Sequence, residues 1–473
     1  MKRIPRIVAS LILLAGLFLV SSRVNGAELA MGFRVGEVTS DSVIVWSRVT
    51  TNKTRNADGE KMVGRPKTND PSPDQINVDA LHGATPGADG ELRATWSTNK
   101  DLAGAEPSAW QAVAAKGDYT HQFHLKNLRP ATKYYLKVEA RSPGGKTTAT
   151  QSGSFVTAAK PDQWQDVSFS VITGQAYRDL DDPQGYRIYP SMGKLGLKFL
   201  VSTGDTVYYD SERPKARTVP LARYHWHRMY SLPRVVEFHR LTPGYWEKDD
   251  HDTLSNDSWP TMNPKSMLPL TWKDGLRLFR EQVPMGEKTH RTIRWGKGLQ
   301  IWMVEGRDFR SSNRMPDGPE KTIWGKEQMA WLKKSVLESD ADFRVLISPT
   351  PIVGPDRSGK SDNHANKAFA FEGNHFRDWT KEQKLKNFFV CCGDRHWQYM
   401  SVDPKTGLRE FSCGPASDEH AGGTPGHDPK VQPFHKVQGG FLTVNVYRKD
   451  DAPRAAFRFH DVRGKVVYEH LAR

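Results

Sequence analysis

The chain has 473 residues, 37% hydrophobic and 10% aromatic, and its 68 Lys and Arg outweigh 54 Asp and Glu for a formal net charge of +14. That apolar content supports extended cores and excludes a chain disordered throughout, and the length holds two domains or one large enzyme domain with a smaller companion. The sequence has no Lys/Arg block, zinc-finger spacing or RNA-binding aromatic motif, so specific nucleic-acid binding is not expected; a basic surface instead favours anionic substrates.

Lys2, Arg3 and Arg6 precede an uncharged apolar stretch over 7–20, followed by Ser21, Ser22 and the small pair Gly26-Ala27. This order of basic, apolar and small residues predicts a signal peptide over 1–26. The stretch is shorter than the roughly 20 apolar residues a membrane span needs, so no span is expected after cleavage. The expectation is an exported protein, periplasmic or secreted, and without Lys2, Arg3, Arg6 and Arg23 its charge is about +10. Only Cys391, Cys392 and Cys413 are present, which argues against a disulfide framework. Three small buried hydrophobes are the favoured state, with pairing of Cys413 to one of the neighbours as the alternative.

From 30 to 157 the chain reads as a β-sandwich domain, with strands at 33–38 and 42–47 flanking the turn Thr39-Ser40-Asp41 and others at 92–97, 119–125, 133–140 and 153–156. The segment from Leu125 to Val138 resembles the end of a fibronectin type III repeat, which implies a corner fixed by a leucine and by a tyrosine phenol. Trp46 is expected as the buried aromatic of the sandwich. Between Thr50 and Gly90 the composition turns to Asn, Lys, Asp, Pro and Gly, which predicts a long, mobile polar loop.

From 161 to 473 helices and strands alternate. Strands are predicted at 167–173, 199–203, 299–304, 343–348, 388–392, 441–447 and 454–459, and helices at 189–195, 221–230, 275–282 and 326–339. Consecutive strands near the end indicate an α+β arrangement of layers with a mixed sheet. Loops after apolar runs carry metal-type ligands: Gly204-Asp205-Thr206-Val207-Tyr208, then Asp249-Asp250-His251-Asp252 with Asn256 and Asp257, then Gly393-Asp394-Arg395-His396-Trp397. Oxygen and imidazole donors at several strand ends are expected of a dinuclear site over an open sheet, which points to metal-assisted hydrolysis.

These motifs, in order with Glu305-Gly306-Arg307-Asp308-Phe309-Arg310, resemble the motif set of PhoD-like alkaline phosphatases, metallophosphoesterases related to purple acid phosphatases. The resemblance implies a layered α/β/β/α domain with mixed sheets, preceded by the fibronectin type III-like sandwich, acting on a phosphate ester as a phosphomonoesterase, a phosphodiesterase or both. It implies a two-metal site with ferric iron (Fe3+) and calcium. Asp205 would bridge the ions, Tyr208 and His396 would serve the ferric side, and Asn256 and Asp394 the calcium side. Asp250 and His251 would orient ligands or contact substrate, and Arg307, helped by Arg310, would neutralise phosphoryl oxygens. The family's usual iron-ligating cysteine is absent, because Gly174 occupies that loop; recruitment of Asp179 is one way to compensate. Glu305 also replaces the usual aspartate. His420, His427 and His435 lie in a Gly-rich segment expected to be a flexible loop at the site's mouth. Alternatives are hydrolysis of another anionic ester such as a sulfate, and a non-catalytic surface-binding protein with a degenerate metal site.

Overall fold

The computed structural model describes residues 26–473, and the expected signal peptide lies almost wholly outside the described residues. Two parallel sets of strands form the scaffold. Val167–Ile172, Phe199–Thr203 and Gly244–Glu247 make one set. Leu299–Met303, Phe343–Ser348, Phe388–Cys392 and Arg409–Cys413 make the other. Antiparallel strands Phe441–Lys449, Ala452–His460 and Val466–Ala472 extend the first sheet at one edge. Arg291–Trp295 flanks one side of the second sheet, and Gln398–Val402 and Phe434–Lys436 flank the other.

Alternate residues of a strand point to opposite faces, and the sequence uses both. Phe169, Val171, Phe199 and Val201 from the first sheet share one apolar cluster with Ile301, Met303, Val345, Ile347 and Phe389 from the second. Phe199 stacks on Trp295 across this interface, with ring centroids 4.9 Å apart. The intervening residues face outward. Ile172, Leu200 and Trp246 pack under helices Val219–Tyr230, Pro233–His239 and Trp272–Gln282. Trp302, Leu346 and Val390 pack under Gly325–Leu337 and Ala370–Glu382. The result is the expected α/β/β/α layering with mixed sheets. The three cysteines are free and buried, and no helix among the described residues is long and apolar enough to cross a membrane.

The amino-terminal part is β-rich. Phe33–Gly36, Val43–Arg48 and Thr120–Leu125 pack their Val35, Val45 and Phe123 against Leu92, Leu136 and Val138 of a four-stranded sheet. The corner is as anticipated: the Arg129 amide donates to the Tyr134 phenol at 2.8 Å, and Leu128 is buried. Two expectations are corrected. Trp46 is buried but lies on the opposite face from Val45, in the cluster beneath the helices, where its indole N–H donates to the Glu281 carbonyl at 2.7 Å. The segment after Thr50 is anchored, because Met62, Leu81 and Ala84 pack on Tyr224 and Arg55 donates to the Arg228 carbonyl at 3.0 Å. Moreover, Phe33–Gly36 pairs with Gly244–Glu247, so the sandwich strands continue the first large sheet.

Candidate metal centre

The carboxyl ends of the two parallel sets meet at one edge of the stacked sheets. Thr173 bridges to Pro415 there, and the Asp394 amide donates to Thr173 Oγ1 at 3.3 Å. Gly393 allows this approach: a Cβ on it would sit 2.4 Å from Thr203 Oγ1 and 2.8 Å from the Pro349 carbonyl oxygen. Asp205 and Asp394 both follow strand ends in left-handed backbone, with φ of 53° and 60°. Few residue types accept that conformation, and a short polar side chain is one that does.

Asp205 is the hub. It belongs to two groups whose ligand atoms lie within 4.8 Å of one another, Asp205 with Asp250 and His251, and Asp205 with Asp249 and Asp394. Asp205 Oδ1 and Asp249 Oδ2 are buried without a hydrogen-bond partner. Burial pushes the Asp205 carboxyl well above its ordinary range; His251 opposes this, while Asp250 and Asp249 add to it. Burial likewise lifts Asp249 to about 7 against the pull of Arg307. Several carboxylates crowded out of water need a positive charge among them. Buried, unpaired carboxylate oxygens gathered this closely fit bound cations.

Asp252 has a different task. Its Oδ1 accepts the Asp249 amide at 2.7 Å and its Oδ2 the Thr206 amide at 3.1 Å, tying two ligand loops together. His251 Nδ1 lies 2.6 Å from Asp210 Oδ1. Burial works against protonating His251, but Asp210, Asp250 and Asp205 outweigh it and hold its proton far above the usual range. Tyr208 is buried, donates to Asp205 Oδ2 at 3.1 Å, and meets His420 Nε2 at 2.9 Å. His396 lies against His420 with ring centroids 4.0 Å apart, and its Nε2 has no partner. Burial, then His420 and Arg395, drive His396 well below its ordinary range, so it is a neutral imidazole able to ligate.

Asp205, Tyr208, Asp250, His251, Asp394 and His396 therefore converge. Asn256 is exposed at the rim, its amide donating to Asp210 Oδ2 at 3.0 Å. Arg307 lies against Asp249. Its guanidinium is fully buried, bonded to Asp249 Oδ1 at 2.6 Å through Nε and to the Ser258 carbonyl at 3.0 Å. Through these contacts it positions Asp249. Arg310, bonded to the Asp362 carbonyl, keeps Nε and Nη1 buried and unpaired. Glu305 accepts the Arg307 amide at 2.7 Å and pairs with Lys248, which braces this loop.

His420 is the site residue that sequence alone does not single out. The expected flexible loop is instead tied down: Ser417 Oγ donates to the Asp179 carbonyl at 2.7 Å, and the Gly439 amide donates to Asp418 Oδ1 at 2.8 Å. The available signal was its position after a buried strand, Arg409–Cys413, like the other ligand loops. His427 and His435 stack on each other, with centroids 5.4 Å apart, and bond to Gln432 and Thr424.

The stacked mixed sheets with an acid and imidazole cluster at their carboxyl edge define a layered hydrolase fold of the metallophosphatase type. The chain belongs to the PhoD-like phosphatase family, whose model matches residues 169–461, with the family's N-terminal domain matching 17–159. It is similar to alkaline phosphatase D of Bacillus subtilis (strain 168), at 21% identity over 434 residues covering 82% of this chain and 68% of the relative. A solved structure of PhoD has a TM-score of 0.71 at 16% identity, covering 94% of this chain and 88% of the other. Purple acid phosphatase PPD1 from yellow lupin (Lupinus luteus) seeds has a TM-score of 0.62 at 11% identity, covering 93% and 73%. The chain is accordingly a phosphatase-class hydrolase whose substrates are phosphate esters.

Proposed function

We propose that the protein is an exported phosphoric ester hydrolase that works through a dinuclear metal site and cleaves phosphomonoesters, phosphodiesters or both. The observation that carries this proposal is the place of Asp205 in both ligand groups, since one carboxylate has an oxygen for each of two ions. Iron and calcium are the proposed pair. Phenol and imidazole from Tyr208 and His396 suit a ferric ion, and carboxylates from Asp249 and Asp394, with the rim amide of Asn256, suit calcium. Asp250 and His251 close the other side of Asp205.

When bound, the cations supply Lewis-acid polarisation of the ester and activate water. The chain's own groups do the rest. Arg307 fixes Asp249, and Asp252 fixes both ligand loops. Arg310 offers unpaired donors to the anionic ester. Asp210 takes His251 Nδ1 and so orients the imidazole beside Asp205 and Asp250.

Elemental analysis of the purified protein combined with turnover of aryl phosphomonoesters, bis(aryl) phosphates and aryl sulfates tests the proposal. Stoichiometric metal with phosphate-ester turnover is expected. Faster turnover of aryl sulfates would favour a sulfate-ester hydrolase, and absence of both metal and turnover a non-catalytic surface-binding protein. Export is checked by sequencing the amino terminus of protein recovered outside the cytoplasm, which should begin near Gly26 or Ala27.

A further inference from the structure

Building on the metal-dependent reading above, we infer that His420, oriented by Asp179, is itself a metal ligand, forming a donor group with Asp205, Tyr208 and His396 that does without a thiolate. His420 Nδ1 lies 2.7 Å from Asp179 Oδ2, which commits that nitrogen and leaves Nε2 to face the Tyr208 phenol oxygen at 2.9 Å. A carboxylate holding one imidazole nitrogen while the other faces a cluster of donors is the usual way a ligating histidine is oriented. Around Nε2 the donors are already assembled. The Tyr208 oxygen also touches Asp205 Oδ2 at 3.1 Å, the His396 ring lies 4.0 Å away between centroids, and His396 Nε2 is shut off from solvent without a partner.

Position 174 supplies an independent reason. Gly174 has φ of +60°, and a Cβ built on it would lie 3.4 Å from His420 Cδ2 and 3.2 Å from Pro415 Cβ. The imidazole edge therefore borders position 174 at ordinary contact distance. It reaches that position from the opposite sheet, on a loop joined to the Gly174 carbonyl by the Ala416 amide at 3.3 Å. Gly174 and His420 thus lie side by side, the glycine with no side-chain donor to offer and the histidine with a nitrogen turned to the Tyr208 oxygen.

The test uses the full-length protein stripped with chelator and titrated with cobalt(II), reading stoichiometry, affinity and the visible bands of the bound ion. His420→Ala should lose one ion or bind it at least about 100-fold more weakly, with binding restored by added imidazole, and Asp179→Asn should weaken binding by about 10–100-fold. His420→Cys should retain the ion and gain a thiolate charge-transfer band, which a purely structural hydrogen-bonding role would not produce. If His420→Ala fails to fold by circular dichroism, Asp179→Asn and His420→Cys decide. Unchanged stoichiometry and affinity in folded His420→Ala, or in Asp179→Asn together with a bandless His420→Cys, would overturn the assignment while leaving the metalloenzyme proposal standing. Wild-type protein that takes up no metal would overturn that proposal, and this assignment with it.

Discussion

Asp205 is a carboxylate whose environment disfavours its charge, which separates its functional worth from its structural cost. Replacing it with asparagine keeps the left-handed backbone accessible and removes one member of the crowded acidic group. Asp205→Asn is expected to bind no stoichiometric metal and to lose hydrolysis by at least about 100-fold, yet to melt no lower than the metal-free wild type. Metal analysis and thermal denaturation in chelator check both parts, and a large drop in the metal-free melting temperature would contradict the assignment. The two arginines should behave oppositely. Arg307→Ala strands the buried Asp249 and should cost about 3–5 kcal/mol of stability, weakening metal retention as well. Arg310→Ala should leave metal content intact and raise KM for an aryl phosphate by about tenfold, the worth of one hydrogen bond to a charged group. At this scale the sequence made ligand types visible, because Asp, His and Tyr clustered after apolar runs. It did not reveal partners: nothing in Glu305-Gly306-Arg307 announces that Ser258 and Asp249 will take the guanidinium.

Elements were most legible where an apolar run was buried on both faces. Phe199–Thr203, Phe343–Ser348 and Phe388–Cys392 fall within the expected bounds, since continuous apolar character suits only a covered strand. Helix Ala370–Glu382 was hidden because Gly373 and Asn374 read as breakers, while burial of Phe376 and Trp379 over the second sheet overrides them. Strand Gly244–Glu247 was hidden because it is short and begins at Pro243-Gly244. Helix Pro233–His239 carries a pH-dependent liability. His239 is buried among Tyr189, Tyr230, Phe238 and Trp246, with neither ring nitrogen bonded, and burial lowers its pKa from 6.5 to about 3. The lowered value means that the unfolded chain takes up a proton that the folded chain refuses. The associated stability is therefore fully present above pH 6.5 and lost as pH falls toward 3. At pH 5 the loss is about 2 kcal/mol. His239→Phe should abolish that part of the acid sensitivity and be neutral or stabilising at pH 7, as measured by urea denaturation at both pH values. An unchanged difference between pH 7 and pH 5 would count against this account.

At the scale of the whole molecule, the sandwich is built into the catalytic layers. Trp46 shows how: a one-residue change of strand face turns an expected sandwich core residue into a contact with helix Trp272–Gln282. Around it, Arg34 donates to the Gln282 carbonyl, Arg291 pairs with Glu37 at 2.6 Å, and the Tyr245 hydroxyl donates to the Val38 carbonyl. Sequence patterning marked a β-rich amino-terminal part and a layered α+β part but carried no information about their junction, which depends on partners far apart in the chain. Asp118 is the clearest of these. From the sandwich it binds Arg48 at 3.1 Å, reaches His227 on helix Val219–Tyr230 at 2.6 Å, and accepts from the Gln282 amide at 2.7 Å, all nearly buried. Asp118→Asn preserves the left-handed backbone but removes the charge that compensates Arg48. The expected cost is about 3–5 kcal/mol. Because the network spans both parts, loss of tryptophan fluorescence structure and loss of hydrolysis should move together to lower urea concentration, by the same amount. An independent sandwich would instead melt alone, leaving the midpoint for hydrolysis where it is in the wild type, and that separation would show that the shared sheet does not couple the two parts.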